Sequence, residues 1–334
     1  MNVVTEAWEA LAGERRDEAG WHLRRILREA PCEIFAGLHQ PGATPSLLIE
    51  APVAAMPRVQ RLPGSQGFRV EASRPGLSQT GRGRILLSLA DRAYSTVFAV
   101  LCLDVAQIAA TQSDPASALS TFIDRLHVWQ SFMARFGPDG LSEEAVIGLM
   151  GELLVLSEYL APLIGLERAV GGWSGPRGEP NDFSLDNGYL EIKSTIRQAP
   201  QSMAIANSAQ LDPARGRIVL AHLQLHQSTV GRTLPDIIMA IRNRLMDEAP
   251  ASLPEFTAQL LAAGYVDVHS DNYMLRLELA AIQFFDVTAD FPHIARSELR
   301  TGIRECTYSI DLAACAPWSV PSTMLSMLAG IVDG

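Results

Sequence analysis

Apolar positions along the chain recur with two different periods, and the change of period divides it. Over residues 1–30, Trp8, Leu11, Leu23, Ile26 and Leu27 fall at intervals that predict a mainly helical segment. From Cys32 to Leu103 the texture becomes short apolar runs between Gly and Pro punctuation: Glu33–Leu38, Ser46–Ile49, Gly67–Val70, Arg84–Leu89 and Thr96–Leu103. Such runs predict strands of an antiparallel, β-rich domain. Helical spacing returns over Ser117–Phe136 and stops at Gly137-Pro138-Asp139-Gly140. The expected organisation is a β-rich N-terminal domain over 1–116, a helical connector over 117–140 and a second domain over 141–330.

The second half opens at Ser142, a side chain suited to an N-cap, followed by Glu143 and Glu144, whose charges favour the positive end of a helix. That helix is expected to reach about Leu160. A Gly-rich stretch, 171–180, leads into two short alternating segments on either side of Asp186-Asn187-Gly188. Further strands are expected over Arg217–Gln227, Tyr273–Val287 and Arg304–Leu312, with helices over Leu234–Met246 and Pro254–Ala263. Helix, hairpin, strand, helix and more strands predict an α/β (α+β) core, a central mixed sheet flanked by helices.

The hairpin carries the chemistry. Asn187-Gly188 is a favoured dipeptide for a two-residue turn with positive φ at both positions. Taken literally, it sets 186 opposite 189, 184 opposite 191 and 182 opposite 193. Side chains alternate along a strand. One face then carries Asp182, Ser184, Glu191 and Lys193, and the other Phe183, Leu185, Leu190 and Ile192. In this register Asp182 and Glu191 are diagonal neighbours, about 7 Å apart. Two convergent carboxylates repel unless a cation lies between them. A hard divalent ion with oxygen ligands suits them, Mg²⁺ above all and Mn²⁺ as its substitute. Lys193 adds a compact positive charge able to stabilise a developing phosphorane or to acidify an attacking water. These are the parts of metal-assisted phosphodiester hydrolysis.

Composition sharpens one of these residues. Of 27 basic residues Lys193 is the single lysine, the other 26 being Arg, so the cation beside the carboxylates breaks the chain's own habit. A plain surface ion pair, worth about 0–1 kcal/mol, is the competing reading and would be served as well by Arg. The net charge of −10 excludes a uniformly basic nucleic-acid coat. Residues 190–244 nevertheless hold 7 basic and 3 acidic groups, a local net of +4, and supply Lys193, Arg197, Arg215, Arg217, Arg232, Arg242 and Arg244 for phosphates. Four cysteines without C-x-x-C spacing fit a reducing compartment. The N-terminus carries Glu6 and Glu9 rather than a basic, then apolar, leader. Uninterrupted apolar runs stay short, Val97–Leu103 ending at Asp104. A cytoplasmic protein without membrane attachment is expected.

Asn181-Asp182…Glu191-Ile192-Lys193, preceded by the helix around Gly151-Glu152-Leu153-Leu154, resembles the PD-(D/E)XK nuclease signature. Residues 143–227 are similar to a bacterial family of uncharacterised PD-(D/E)XK proteins. That family tends to be encoded beside DNA methyltransferase, helicase-like and ATPase genes, in clusters resembling restriction or phage-defence systems. The resemblance implies that Asp182 and Glu191 bind metal, that Lys193 acts on the nucleophilic water, and that Glu152 orients a water or helps hold the metal. It further implies DNA as substrate and subunits of a defence system as partners. Asn181 stands where the motif's name has Pro, with Pro180 one place earlier. Ser194, Arg197 and Gln198 extend the strand as candidates for substrate contact, or form an ordinary strand end.

Other patterns point less far. Glu152 interrupts an apolar helix face, where a buried charge is costly without a cation or a hydrogen bond. His222, Gln224 and His226 share one polar face as a strand, whereas in a helix His222 and His226 would form an i, i+4 metal pair; the alternation with Ala221, Leu223 and Leu225 favours the strand. Glycines 171, 172, 175 and 178 do not spell a phosphate-binding loop. Two other functions stay open: a nuclease fold whose cutting is dormant, serving as a DNA-binding or scaffolding subunit, and a metal-dependent hydrolase of small phosphoesters.

Overall fold

In the computed structural model, which describes residues 2–14, 19–56, 62–73, 81–196, 202–304 and 306–331, the chain divides into two units, 1–139 and 140–334. Helix α1 (Val3–Gly13) opens the first. Asn2 caps it, its side-chain oxygen accepting the amides of Val4 and Thr5 at 3.0 and 3.1 Å. Strands β1 (Gly20–Ile26), β2 (Glu33–Gln40), β3 (Thr44–Pro52), β4 (Phe68–Ser73) and β5 (Arg82–Leu89) form an antiparallel sheet in the order β1-β2-β3-β5-β4. Helices α2 (Ser95–Ala110) and α3 (Pro115–Arg135) pack on each other.

Two expectations fail in this unit. Gly20–Ile26 is a strand rather than part of a helix, because it pairs along its whole length with β2. Helical propensity at Leu23 and Ile26 is worth only tenths of a kcal/mol per residue and yields to that ladder. Thr96–Leu103 lies inside α2 rather than forming a strand. Val97, Phe98, Leu101, Cys102, Val105, Ala106 and Ala109 are all buried, a helical period that shows only when the window is carried to residue 110. An apolar run of eight residues does not by itself distinguish the two states.

The second unit begins with α4 (Glu143–Val155), capped as expected by Ser142, whose hydroxyl accepts the Ala145 amide at 3.2 Å. A π-helical turn, Leu156–Leu160, carries it into the short α5 (Ala161–Ile164), and α6 (Leu166–Gly172) follows. The sheet strands are β6 (Phe183–Leu185), β7 (Gly188–Thr195), β9 (Ile218–Arg232), β10 (Leu277–Val287) and β12 (Ser319–Val320), with β8 (Ser202–Ile205) and β11 (Tyr308–Asp311) paired separately. Helices α7 (Leu234–Glu248), α8 (Leu253–Ala262) and α9 (Met324–Leu328) complete the chain. The main sheet runs β12-β10-β9-β7-β6; β7 and β9 are parallel and the other neighbours antiparallel, so the sheet is mixed.

Alternation along β7 and β9 gives the sheet two different faces. Leu190, Ile192, Val219, Ala221 and Leu223 join the core built with α4 and α7. Ile218 and Leu220 face the opposite way, into a smaller core with Met203, Ile205, Leu211, Phe285 and Cys315. Glu191 and Lys193, out of phase with Leu190 and Ile192, belong to that second side. All four cysteines are free thiols.

By length and composition two described helical stretches could cross a membrane, Arg92–Ala110 and Glu143–Ile164, once windows tolerate a charge or two. In Glu143–Ile164 the apolar residues are largely consumed by the core around the sheet.

Candidate active site

The β6–β7 hairpin forms, with a register different from the expected one. Phe183 pairs with Leu190, Ser184 with Tyr189 and Leu185 with Gly188, so the turn residues are Asp186 and Asn187. Gly188 lies in the strand, where a Cβ would run into the Arg217 carbonyl. Only glycine admits that approach of two backbones. The Asn187 amide donates to Leu328 O at 2.9 Å and its side-chain nitrogen to Met327 O at 3.0 Å, so the turn is placed by α9, not by local turn preference alone. The shift is two residues. An even shift preserves parity, so each side chain keeps its expected face, and position 182 moves from opposite 193 to opposite 191.

Asp182 just precedes β6. Its carbonyl accepts the amides of Ser174 (2.8 Å) and Gly175 (3.0 Å), while its Oδ2 accepts the Ile192 amide at 2.7 Å. The carboxyl is thereby tied to β7 between Glu191 and Lys193. Glu191 is fully buried. Its Oε2 accepts Asn181 Nδ2 at 3.1 Å. Its Oε1 lies 2.9 Å from Lys193 Nζ as an ion pair, yet has no aligned hydrogen-bond partner among the described residues. Lys193 Nζ also donates to Gln210 Oε1 at 3.2 Å. Glu152, from α4, accepts the indole Nε1–H of Trp173 at 2.7 Å.

Burial governs the protonation of these acids. It pushes the Asp182 carboxyl up to about 6, against the Ile192 amide and Lys193, which pull it down. Burial first, then repulsion from Asp182, raises Glu191 to about 8 despite Lys193 and Asn181. Burial and the neighbouring Asp182 also hold Glu152 well above the ordinary carboxylate range, with Trp173 opposing them. Three acids that resist ionisation in one place are poised for a cation. Glu191 Oε1, buried beside Lys193 Nζ and without an aligned hydrogen bond among the described residues, is the observation that bears on fit to a divalent ion. Among the described residues, however, no three His, Cys, Asp or Glu side chains already converge as a finished ligand set.

The other anticipated residues are placed differently. Ser194 alternates with Lys193 and points to α4. Its Oγ is buried without a partner among the described residues, against Gly151, where a Cβ would overlap it. Arg197 and Gln198 lie outside the described residues. His222 sits beside Lys193 across the parallel ladder, as the strand reading requires; it is 2% exposed, and burial lowers its pKa. Most of the basic block turns out to be engaged. Arg215 binds Asn181, Arg217 Asp286, Arg232 Glu158, Arg242 Asp267 and Arg244 Glu248, so these guanidiniums are not a free phosphate surface. Sequence reasoning missed Trp173, Gln210 and the role of Asn181. A tryptophan within a Gly-rich stretch is a signal for the first; for Gln210, within an irregular segment, there is none. A cavity of about 300 Å³ lined by Arg168, Gly172, Ser184 and Asp186 lies away from the carboxylates, and its charges are already paired with each other.

A mixed sheet whose edge hairpin bears Asp182, Glu191 and Lys193, with Glu152 on the preceding helix, defines a PD-(D/E)XK-like α+β fold. The family model described as "Putative PD-(D/E)XK family member, (DUF4420)" matches residues 4–313, and the chain belongs to that family. The match extends through the first unit, which the motif alone did not reach. Comparison with curated proteins and with solved structures finds no match.

Proposed function

We propose that the chain is a Mg²⁺-dependent nuclease hydrolysing DNA phosphodiester bonds, working in a restriction or phage-defence system. The observation that carries the chemistry is Glu191 Oε1: a buried carboxylate oxygen ion-paired at 2.9 Å with the chain's single lysine and beside two further raised carboxyls. DNA and the defence setting rest on the family resemblance.

Asp182 and Glu191 would hold the ion, with Glu152 adding a third carboxylate near it. Bound Mg²⁺ would supply a Lewis acid for a phosphoryl oxygen and lower the pKa of water. The chain's own residues do the rest. The Ile192 amide holds Asp182 in line with β7. Lys193, kept between Glu191 and Gln210, places a positive charge where the pentacovalent phosphate develops negative charge. Trp173 fixes the Glu152 carboxylate.

The test is purified full-length protein with Mg²⁺ or Mn²⁺ on plasmid and linear DNA, RNA and a generic phosphoester, beside Asp182→Ala and Lys193→Ala. Metal-dependent DNA cleavage that falls by about 10²-fold or more in each variant is expected, the usual scale for losing a group that stabilises transition-state charge. Hydrolysis of the small phosphoester alone would overturn the polynucleotide reading. A second reading, a DNA-binding or scaffolding subunit with dormant cutting, has one observation in its favour: no finished ligand cluster among the described residues. Retained DNA binding with no cleavage under any metal would select it.

A further inference from the structure

Asn181 occupies the motif position named for proline, and the contacts around it are those of a working residue. It is 1% exposed and both polar atoms of its side chain are engaged. Nδ2 donates to Glu191 Oε2 at 3.1 Å and to Gln210 O at 2.7 Å, while Oδ1 accepts Arg215 Nη1 at 2.5 Å. Arg215 Nη1 also donates to Ala209 O at 3.0 Å, and its guanidinium lies over the Tyr189 ring, 4.7 Å from the centroid. The short helical turn Ser208–Leu211 therefore receives both Asn181 and Arg215 on its carbonyls, and the same turn's Gln210 side chain receives Lys193.

An amide has two ends, and this arrangement permits only one orientation. Turned over, Asn181 would set its carbonyl oxygen against the Glu191 carboxylate and its NH₂ group against the Arg215 donor, both repulsive. Arg215, which has no acceptor, makes the choice. With Oε2 of Glu191 held by the amide, the carboxylate plane is set, and Oε1, beside Lys193 Nζ, is the oxygen the amide leaves to cations.

We infer that Asn181 is a positioning residue that orients Glu191 for metal, and that Arg215 acts through Asn181 as the lock on its amide. The inference rests on the metal-dependent reading above. A partner in this position changes metal affinity by about 10- to 100-fold when removed. Arg215 contributes one step further out, so its loss weakens binding about two- to tenfold, the worth of one net hydrogen bond.

Mn²⁺ binding to the full chain, followed by electron paramagnetic resonance and calorimetry, reads this without recourse to activity. The variants are Asn181→Ala, Arg215→Met (which keeps an unbranched stem over Tyr189), their double mutant and Glu191→Ala. Thermal unfolding checks that each is folded. The expected result is Mn²⁺ bound by the wild type, lost in Glu191→Ala, weakened about 10- to 100-fold in Asn181→Ala, and no weaker in the double mutant than in Asn181→Ala. Such non-additivity belongs to one residue acting through another and would not follow from a general loosening of the fold. Should Asn181→Ala fail to fold, Arg215→Met alone decides: unchanged Mn²⁺ affinity overturns the lock. Wild-type affinity in a folded Asn181→Ala overturns the inference and leaves the nuclease reading intact. Absence of Mn²⁺ binding by the wild type overturns that reading, and the inference with it.

Discussion

Replacing Glu191 by Gln should stabilise the metal-free protein while destroying its response to Mg²⁺. Gln is close in shape to a protonated Glu and carries no charge to desolvate. The Glu191 carboxyl titrates at about 8 in the fold against an ordinary 4.5. Because the folded-state value is raised, the folded chain binds more protons than the unfolded one between these values, and its stability falls as pH rises through that window. Below about pH 4.5 the group costs almost nothing. The cost is about 3 kcal/mol at pH 7 and approaches about 5 kcal/mol above pH 9, each tenfold in proton binding being worth about 1.4 kcal/mol. Lys193 keeps its bond to Gln210 in the variant, so it is not left without a partner. Urea unfolding in EDTA at pH 5 and pH 8 measures the difference. Glu191→Gln should exceed the wild type by under about 1 kcal/mol at pH 5 and by several at pH 8. Mg²⁺ at 100 times its dissociation constant should then return about 2.7 kcal/mol to the wild type at pH 8 and nothing to the variant. A variant no more stable than the wild type at pH 8, or a difference independent of pH, would refute the argument that burial dominates this carboxyl.

Other perturbations test the supports of the site. Trp173→Phe removes the indole N–H from the half-buried Glu152 carboxyl and should cost about 1 kcal/mol, with a fall in Mg²⁺ affinity; an unchanged melting temperature would show that Glu152 is hydrated. Gly151→Ala should destabilise by about 1–3 kcal/mol, because its methyl group would overlap Ser194 Oγ and push α4 off β7; denaturant midpoints read this. Ser194→Ala should stabilise by up to about 1 kcal/mol, since it deletes a buried hydroxyl without a partner among the described residues. Loss of cleavage at unchanged stability would instead show that this hydroxyl meets substrate. Gly188→Ala should be more damaging than Gly151→Ala: the obstacle is the Arg217 backbone carbonyl rather than a side chain that can turn away, and thermal unfolding ranks the two.

What the sequence by itself determined follows from short-range periodicity. The division of the hairpin into an ionisable face and an apolar face was legible because strand side chains alternate with period two, and it survives the two-residue change of register. The Ser142 cap, the strand around His222 and the position of Glu152 on the preceding helix were legible in the same local way. Lys193 stood out by composition alone.

Tertiary structure decided the rest, because the deciding contacts come from far along the chain. The turn moved to Asp186–Asn187 where α9, some 140 residues later, binds Asn187 and where the Arg217 carbonyl crowds Gly188. Gly20–Ile26 became a strand because β2 was there to pair with it, and Thr96–Leu103 became helix because its buried period continues to Ala109. The basic block that begins on β7 could be counted from the letters, but only folding showed that five of its arginines are held by Asn181, Asp286, Glu158, Asp267 and Glu248. The acids' affinity for protons was likewise invisible: it is set by how much water folding removes from Glu191 and Asp182, and desolvation is a property of three-dimensional packing, not of residue order.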